Sequence, residues 1–162
     1  MTAGAWRLYL LNSNCDQVDC DAEVSWLTQD LAQHPARCSA LVMHYPRFSS
    51  GEHGSDVGMT RFWAPAYAAH VDLALAGHDH TYERFEALTP AGAAAPGRGL
   101  VSFVVGTGGR SLYDLRTRVP GSAYAQNTRF GVLQLTLRGG GFDWAYHAVG
   151  GAVLDSGSQR CQ

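Results

Sequence analysis

The chain has 162 residues, a length typical of one globular domain, and 46% of them are hydrophobic, enough to form a buried core. Only 16% are charged and the net charge is -2, so the chain has no strong field for gathering polyanions and a nucleic-acid partner is not expected. No run approaches the roughly 20 consecutive apolar residues of a membrane span, and no signal peptide is recognisable. We therefore expect a single domain, residues 1–162, that acts without a membrane partner.

The first half of the chain alternates apolar runs with helical patterns. The apolar runs predict three strands, at residues 6–12, 40–43 and 71–76. Between them, residues 22–34 and 59–70 place apolar side chains at spacings of three and four, and each segment predicts a helix. This alternation of strand and helix is expected of a parallel sheet with crossover helices.

The second half is richer in glycine and predicts antiparallel structure. Residues 90–99 are rich in proline, glycine and alanine and predict a loop, and residues 100–105 form a strong apolar strand. Residues 131–137 and 142–149 also have strand character, and the glycines at 139–141 between them are a turn signal. These segments therefore predict an antiparallel hairpin near the C-terminus.

Four cysteines suit two disulfides formed in an oxidising compartment. Cys15, Cys20 and Cys38 lie in the first quarter and Cys161 at the end, and the sequence leaves their pairing open. A zinc site is the weaker interpretation because Cys15 and Cys20 have no second close pair to complete it. The cysteines favour an extracellular or secreted protein, which would require a signal peptide upstream of this sequence.

Three histidines follow the predicted strands. His44 comes directly after residues 40–43, and His78 and His80 come shortly after residues 71–76. In an extended chain His78 and His80 would point to opposite sides, so each could serve one of two adjacent metal ions. Neutral imidazole favours Zn, Fe, Mn or Ni over Mg or Ca. Taken alone, the pair is more readily explained as two loop histidines than as metal ligands.

Two segments around these histidines resemble a known family. Residues 77–84, Gly-His-Asp-His-Thr-Tyr-Glu-Arg, and residues 43–51, Met-His-Tyr-Pro-Arg-Phe-Ser-Ser-Gly, resemble the last two motifs of the calcineurin-like metallophosphoesterases. Residues 11–15 and 104–109 also look like the bacterial branch of that superfamily related to purple acid phosphatases. The resemblance extends over most of the chain, from Trp6 to Val149.

The resemblance implies a mixed α/β fold, half of a two-sheet αββα metallophosphoesterase sandwich with the C-terminal hairpin. It implies that His44 and His78 ligate one ion of a binuclear transition-metal centre (Fe, Zn, Mn or Ni) and that His80 ligates the other. The implied activity is hydrolysis of a small phosphomonoester substrate by a metal-bound hydroxide.

The acidic motifs of the family's first half do not occur in this sequence. The family has an Asp-x-His or Asp-x-x motif, a Gly-Asp motif whose carboxylate bridges the metals, and a Gly-Asn-His motif; the chain therefore resembles the C-terminal half alone. Another copy of the chain in a homo-oligomer, or a complementing N-terminal half, would have to supply the missing ligands. Without the first half, an apolar sheet face is left uncovered and should make the chain self-associate. The alternatives are a non-catalytic metal-binding or interaction module and an inactive fragment of a phosphatase.

Other side chains in the two motifs are candidates for substrate contact. His53, on the loop after the first motif strand, could protonate the leaving group or reach the phosphate, unless it is an ordinary surface histidine. Tyr45 stands where close relatives often carry a second histidine that contacts substrate. Arg47 and Arg84 could bind phosphate, with a structural ion pair as the alternative. Asp79 falls where the family varies and receives no ligand role.

Overall fold

A computed structural model describes all residues from 1 to 162, which form two helices and two β-sheets. The helices are α1 (Cys20–Gln33) and α2 (Thr60–Ala68), and a 3₁₀ turn (Val57–Met59) precedes α2. The strands are β1 (Thr2–Ala3), β2 (Trp6–Leu10), β3 (Cys38–Val42), β4 (Leu73–Ala76), β5 (Tyr82–Leu88), β6 (Leu100–Val105), β7 (Ser122–Gln126), β8 (Gly131–Arg138), β9 (Gly141–Ala148) and β10 (Val153–Arg160).

The larger sheet has seven strands in the order β1-β2-β3-β4-β6-β5-β7. Strands β2, β3, β4 and β6 are parallel, whereas β1, β5 and β7 pair antiparallel to their neighbours. The smaller sheet is antiparallel in the order β10-β9-β8. The predicted parallel strands, their two crossover helices and the C-terminal hairpin β8–β9 are thus confirmed.

The molecule has three layers, because the larger sheet is apolar on both faces. One face packs against α1 and α2 through a cluster that includes Leu27, Leu41 and Trp63. The opposite face packs against the smaller sheet through a second cluster that includes Phe103 and Tyr146. Helices, larger sheet and smaller sheet form an αββ arrangement, which confirms the predicted partial sandwich. Neither helix has the length and apolar character that crossing a membrane requires.

Strands β1, β5, β7 and β10 were not predicted, and polar composition explains β5 and β10. The β5 residue Glu83 is fully buried, and its carboxylate accepts hydrogen bonds from the backbone N–H and hydroxyl of Ser50 and from the hydroxyl of Ser122. Strand β10, Val-Leu-Asp-Ser-Gly-Ser-Gln-Arg, lacks a regular apolar alternation. Since distant segments satisfy such polar groups, no local pattern identifies these strands.

The four cysteines form two disulfides, Cys15–Cys20 and Cys38–Cys161. The predicted structural role is confirmed, and the pairing that the sequence left open is now determined. Asp72 lies beside Cys38 and Cys161, but the two sulfur atoms are joined to each other and neither is a free thiolate that could hold a metal ion. The carboxylate of Asp72 instead accepts backbone hydrogen bonds from Ser39 at 2.9 Å and Gln162 at 2.7 Å.

A cleft of about 440 Å³ opens between the ends of the parallel strands and β8. Eight of its eleven lining residues are hydrophobic, among them Val42, Leu75 and Val105 of the larger sheet and Leu133 and Leu135 of β8. Strand β8 pairs with β9 on one side only, so its other edge has unpaired backbone groups. The two sheets are therefore incompletely covered on this side of the molecule.

Candidate metal centre

The candidate site lies where the parallel strands end. Since β3 and β4 are parallel neighbours, their carboxyl ends meet at the same edge of the larger sheet. His44 follows the last residue of β3 by two positions, and His78 follows the last residue of β4 by two positions. The backbone N–H of Gly77 donates to the carbonyl of His44 at 3.0 Å, which holds the two segments side by side.

The two imidazoles face each other closely. Nε2 of His44 lies 3.3 Å from Nδ1 of His78, and the ring centroids are 5.1 Å apart. A metal ion held by both would need one lone pair from each nitrogen. No third histidine, cysteine or carboxylate ligand atom lies within 4.8 Å of both nitrogens. The pair therefore offers two protein ligands, fewer than the three of a typical catalytic zinc site.

His78 has a backbone conformation that is unusual for a residue with a side chain. Its φ is 65°, and the N–H of Asp79 donates to the carbonyl of Gly77 at 2.8 Å across it. The left-handed region costs a non-glycine residue about 1 to 3 kcal/mol, and such residues concentrate at functional sites. This tight turn gives the His78 ring its position between its neighbours.

Tyr45 and His53 both lie against the ring of His78. The Tyr45 ring centroid is 4.4 Å from that of His78, and the His53 centroid is 4.3 Å from it. Burial lowers the pKa of the His78 imidazole below its ordinary value, and positive charge on His53 and His44 lowers it further. A neutral imidazole with an available lone pair is the form that a metal ion requires.

His80 lies against a different wall of the site, formed by the loop after β6. Its Nδ1 is 3.0 Å from the hydroxyl of Ser111, and its ring stacks on Tyr113 at 4.0 Å with an interplanar angle of 13°. With Nδ1 occupied by Ser111, Nε2 is the nitrogen left for a metal ion. The Tyr113 centroid is also 5.4 Å from that of His53, so this loop connects the two histidines.

Asp79 supports the site from within. It is fully buried, and its carboxylate accepts hydrogen bonds from the hydroxyl of Ser49 and, at 2.8 Å, from the backbone N–H of His53. Gly51 packs so closely on this carboxylate that a Cβ there would lie 2.4 Å from Cγ of Asp79. The Asp79 carboxylate thus anchors the loop that carries His53.

The two arginine candidates make contacts with aromatic and acidic side chains of the fold. The guanidinium of Arg47 lies 4.4 Å from the ring centroid of Phe48, and Arg47 lines a cavity of about 10 Å³ together with Trp63 and other core residues. Burial lowers the pKa of Arg47, and its Nε has no hydrogen-bond partner. Arg84 pairs with Asp155, which confirms the structural ion pair that was its alternative.

Three residues of the site were not singled out from the sequence. Ser111 and Tyr113 lie on the loop after β6, just beyond the residues 104–109 that contribute to the resemblance, and only the chain path brings them to His80. Ser13 belongs to a segment that contributes to the family resemblance, but serine in a polar loop has no individual signal. Its hydroxyl accepts the backbone N–H groups of His44 and Tyr45.

These donors fit part of a transition-metal centre. Two imidazole nitrogens 3.3 Å apart, one on a strained turn, suit one ion of the Zn, Fe, Mn or Ni class. A complete binuclear centre would also need a bridging carboxylate, and the nearest one in sequence, that of Asp79, is already hydrogen-bonded to the loop that carries His53. The chain therefore offers imidazole nitrogens for such a centre but no bridging carboxylate.

No sequence-family model and no curated protein matches the chain at a significant level. Solved structures do match it. Purple acid phosphatase PPD1 from seeds of yellow lupin (Lupinus luteus) matches over 99% of this chain and 32% of its own, with a TM-score of 0.85 and 20% identity. GAP50, the anchor in the inner membrane complex of Plasmodium, matches over 97% of this chain and 50% of its own, with a TM-score of 0.78 and 18% identity.

PhoD is a third structural neighbour, with a TM-score of 0.53 and 12% identity over 86% of this chain and 31% of its own. The chain thus spans between about a third and a half of the length of these proteins. At such low identities the likeness establishes the fold alone. The chain shares the fold of these three proteins and covers only part of each.

Proposed function

We propose that this chain, with its calcineurin-like metallophosphoesterase fold, is the histidine-bearing half of a metal-dependent phosphoesterase that hydrolyses a small phosphomonoester. The observation that carries the proposal is the juxtaposition of His44 and His78 at adjacent strand ends, with 3.3 Å between their facing nitrogens. His44 and His78 would hold one ion and His80 the second, through the nitrogen that Ser111 leaves free.

A bound transition metal would supply an activated water and would neutralise negative charge on the phosphoryl oxygens. The remaining steps belong to this chain. His53, held by Asp79 beside His78, is placed to donate a proton to the leaving-group oxygen. Tyr45, whose ring also lies against His78, would orient the ester by packing and by its hydroxyl. Arg47 has no role in this scheme, because it packs on Phe48.

The acidic ligands would come from a second polypeptide, either a complementing N-terminal half or another copy of the chain. The structural neighbours are two to three times as long as the part matched here, and the open cleft beside β8 leaves room for further strands. The two disulfides support an oxidising compartment, so we also propose an extracellular or secreted location.

The direct test combines metal uptake with turnover of p-nitrophenyl phosphate. The chain is prepared without chelators and assayed with Mn, Zn, Fe or Ni, alone and with a polypeptide that carries the acidic motifs. We expect bound metal by elemental analysis, and turnover with the added polypeptide. The double variant His78→Ala, His80→Ala should lose turnover, whereas His34→Ala, at an exposed surface position, should not. Turnover that survives the double variant would overturn the proposal.

A non-catalytic metal-binding or interaction module is the second candidate. The absence of a third ligand atom within 4.8 Å of both His44 and His78 nitrogens favours it. One structural neighbour, GAP50, is described as an anchor, and it shares the fold over 97% of this chain. Metal uptake by His44 and His78 without turnover in any combination would support this candidate over the phosphoesterase.

The open side of the molecule makes a separate prediction about association. We expect the isolated chain to self-associate through the β8 edge, since Leu133 and Leu135 are only half buried and the edge is unpaired. Val132→Lys should weaken association, because lysine on an edge strand opposes strand pairing. Val153→Lys, at a half-exposed position on the opposite edge of the same sheet, is the matched control. Light scattering that shows a monomer at all concentrations would contradict this prediction.

A further inference from the structure

Ser13 occupies a buried position immediately behind the candidate metal centre. It is 1% exposed, and its hydroxyl oxygen accepts two hydrogen bonds, from the N–H of His44 at 3.0 Å and from the N–H of Tyr45 at 2.9 Å. The last backbone hydrogen bond between the ends of the parallel strands β2 and β3 runs from the N–H of Leu11 to the carbonyl of Val42, at 2.9 Å. Beyond that point the Ser13 hydroxyl, in place of a backbone carbonyl, accepts the hydrogen bonds from the backbone that follows β3.

These two hydrogen bonds hold the two successive peptides on either side of the His44 Cα. The rings of His44 and Tyr45 both lie against that of His78, with centroid distances of 5.1 Å for His44 and 4.4 Å for Tyr45. Loss of these bonds would free the backbone on both sides of the His44 Cα, and with it the directions of the His44 and Tyr45 side chains. Because both N–H groups have the same acceptor, one hydroxyl governs the orientation of a proposed metal ligand and of a proposed substrate contact.

The loop that carries Ser13 is itself tightly held. The N–H of Cys15 donates to the carbonyl of Ser13 at 3.1 Å, and the Cys15–Cys20 disulfide ties the loop to the first residue of α1. On the other side, the N–H of Asn12 donates to the Glu23 carboxylate at 2.9 Å. Ser13 is therefore fixed by covalent and polar contacts that are separate from its bonds to the histidine segment.

We propose that Ser13 is a positioning residue that presents Nε2 of His44 towards His78, and that the Cys15–Cys20 disulfide stabilises this arrangement. The inference rests on the proposed function in one respect, that a metal ion binds His44 and His78. The pairing of the two rings itself does not depend on metal. Loss of a residue that orients a ligand typically weakens metal binding 10-fold to 100-fold, and we expect Ser13→Ala to act in this range.

The test measures ring proximity and metal affinity in the same variants of the full chain. Nuclear Overhauser effects between ring protons of His44 and His78 report proximity in metal-free protein, and calorimetric titration with Zn²⁺ reports affinity. Ser13→Ala should lose the ring contact and bind Zn²⁺ about 10-fold to 100-fold more weakly. Ser13→Thr, which keeps the hydroxyl, should restore both. The control is Ser102→Ala in β6. This variant removes a buried hydroxyl that has no hydrogen-bond partner.

A fold defect is separated from a positioning defect by the double variant Cys15→Ser, Cys20→Ser, which keeps Ser13 but loosens its loop. We expect this variant to fall between wild type and Ser13→Ala in both measurements. Ring contact and Zn²⁺ affinity unchanged in Ser13→Ala would overturn the inference. If the wild type binds no Zn²⁺, the proposed function fails, and the ring contact in metal-free protein still decides the role of Ser13.

Discussion

Replacing Asp155 with alanine is expected to lower the free energy of unfolding by about 3 to 5 kcal/mol, the range for breaking a buried ion pair by removing one partner. The Asp155 carboxylate accepts hydrogen bonds from the Tyr82 hydroxyl at 2.7 Å, from Nε of Arg84 at 2.8 Å and from Nε1 of Trp144 at 3.1 Å. The variant leaves all three donors without this acceptor. The Arg84 side chain, 20% exposed, would then carry an uncompensated charge between the two sheets.

The effect should be large because the network joins separate layers. Tyr82 and Arg84 belong to β5 in the larger sheet, whereas Trp144 and Asp155 belong to β9 and β10 in the smaller sheet. Asp143→Ala is the matched control, since Asp143 pairs with Arg138 at the surface, where such pairs contribute about 0 to 1 kcal/mol. Urea unfolding measures both variants. Equal losses in the two variants would show that burial of Asp155 has no special consequence.

The same carboxylate should make stability depend on pH. Burial alone would raise the pKa of Asp155, but hydrogen bonds from Arg84 and Tyr82 outweigh it, and the net pKa lies below the ordinary value. A carboxyl with a lowered folded-state pKa stabilises the protein above the unfolded pKa of about 3.9 and loses that contribution as the pH falls through the folded value. Urea unfolding at pH 7 and in steps below pH 4 should show this loss in wild type and a weaker one in Asp155→Asn.

Removing the Cys38–Cys161 disulfide, by replacing both cysteines with serine, should cost about 5 kcal/mol because of the long loop it closes. The two residues are 123 positions apart, so the crosslink strongly restricts the unfolded chain. It also ties the segment after β10 to β3, an inner strand of the larger sheet. The loss is comparable to the whole stability of many small domains.

The Cys15–Cys20 disulfide is the internal comparison. Its cysteines are only 5 positions apart, for which the same chain-entropy relation gives about 2 kcal/mol. Urea unfolding of wild type and of the two double-serine variants, each with its remaining disulfide intact, gives both values. A larger loss for the Cys15–Cys20 variant would mean that native contacts at Ser13, and not the entropy of the unfolded chain, dominate.

The parallel part of the fold could be predicted because its strands are buried on both faces and so read as continuous apolar runs. Leu73 to Ala76 and Leu100 to Val105 are examples, and both strands lie within about two residues of their predicted positions. Strand β5 could not be predicted, since Glu83 and Arg84 interrupt its apolar pattern. Their charges are acceptable in a buried strand only because Ser50 and Asp155, distant in sequence, provide partners.

The site shows the same division. His44, Tyr45, His53 and His78 were predicted from motifs, and the structure brings their rings together, although their roles in metal and substrate binding remain predictions. The contacts of His80 with Ser111 and Tyr113 depend on the path of a loop about thirty residues later. No motif includes Ser111 or Tyr113, and serine and tyrosine are common at any protein surface.

The sequence by itself determined the alternation of strand and helix, the resemblance to a phosphoesterase half, and the presence of three histidines after two strands. These are properties of short segments, where periodicity and local motifs carry the information. Only the tertiary structure decided the disulfide pairing, the ion pair of Arg84, the packing of Arg47 on Phe48 and the hydroxyl of Ser13 behind His44. Each of these contacts joins groups that only folding brings close together. The free energy of a contact between distant residues depends on the whole folded chain, whereas the composition of either segment alone does not determine it.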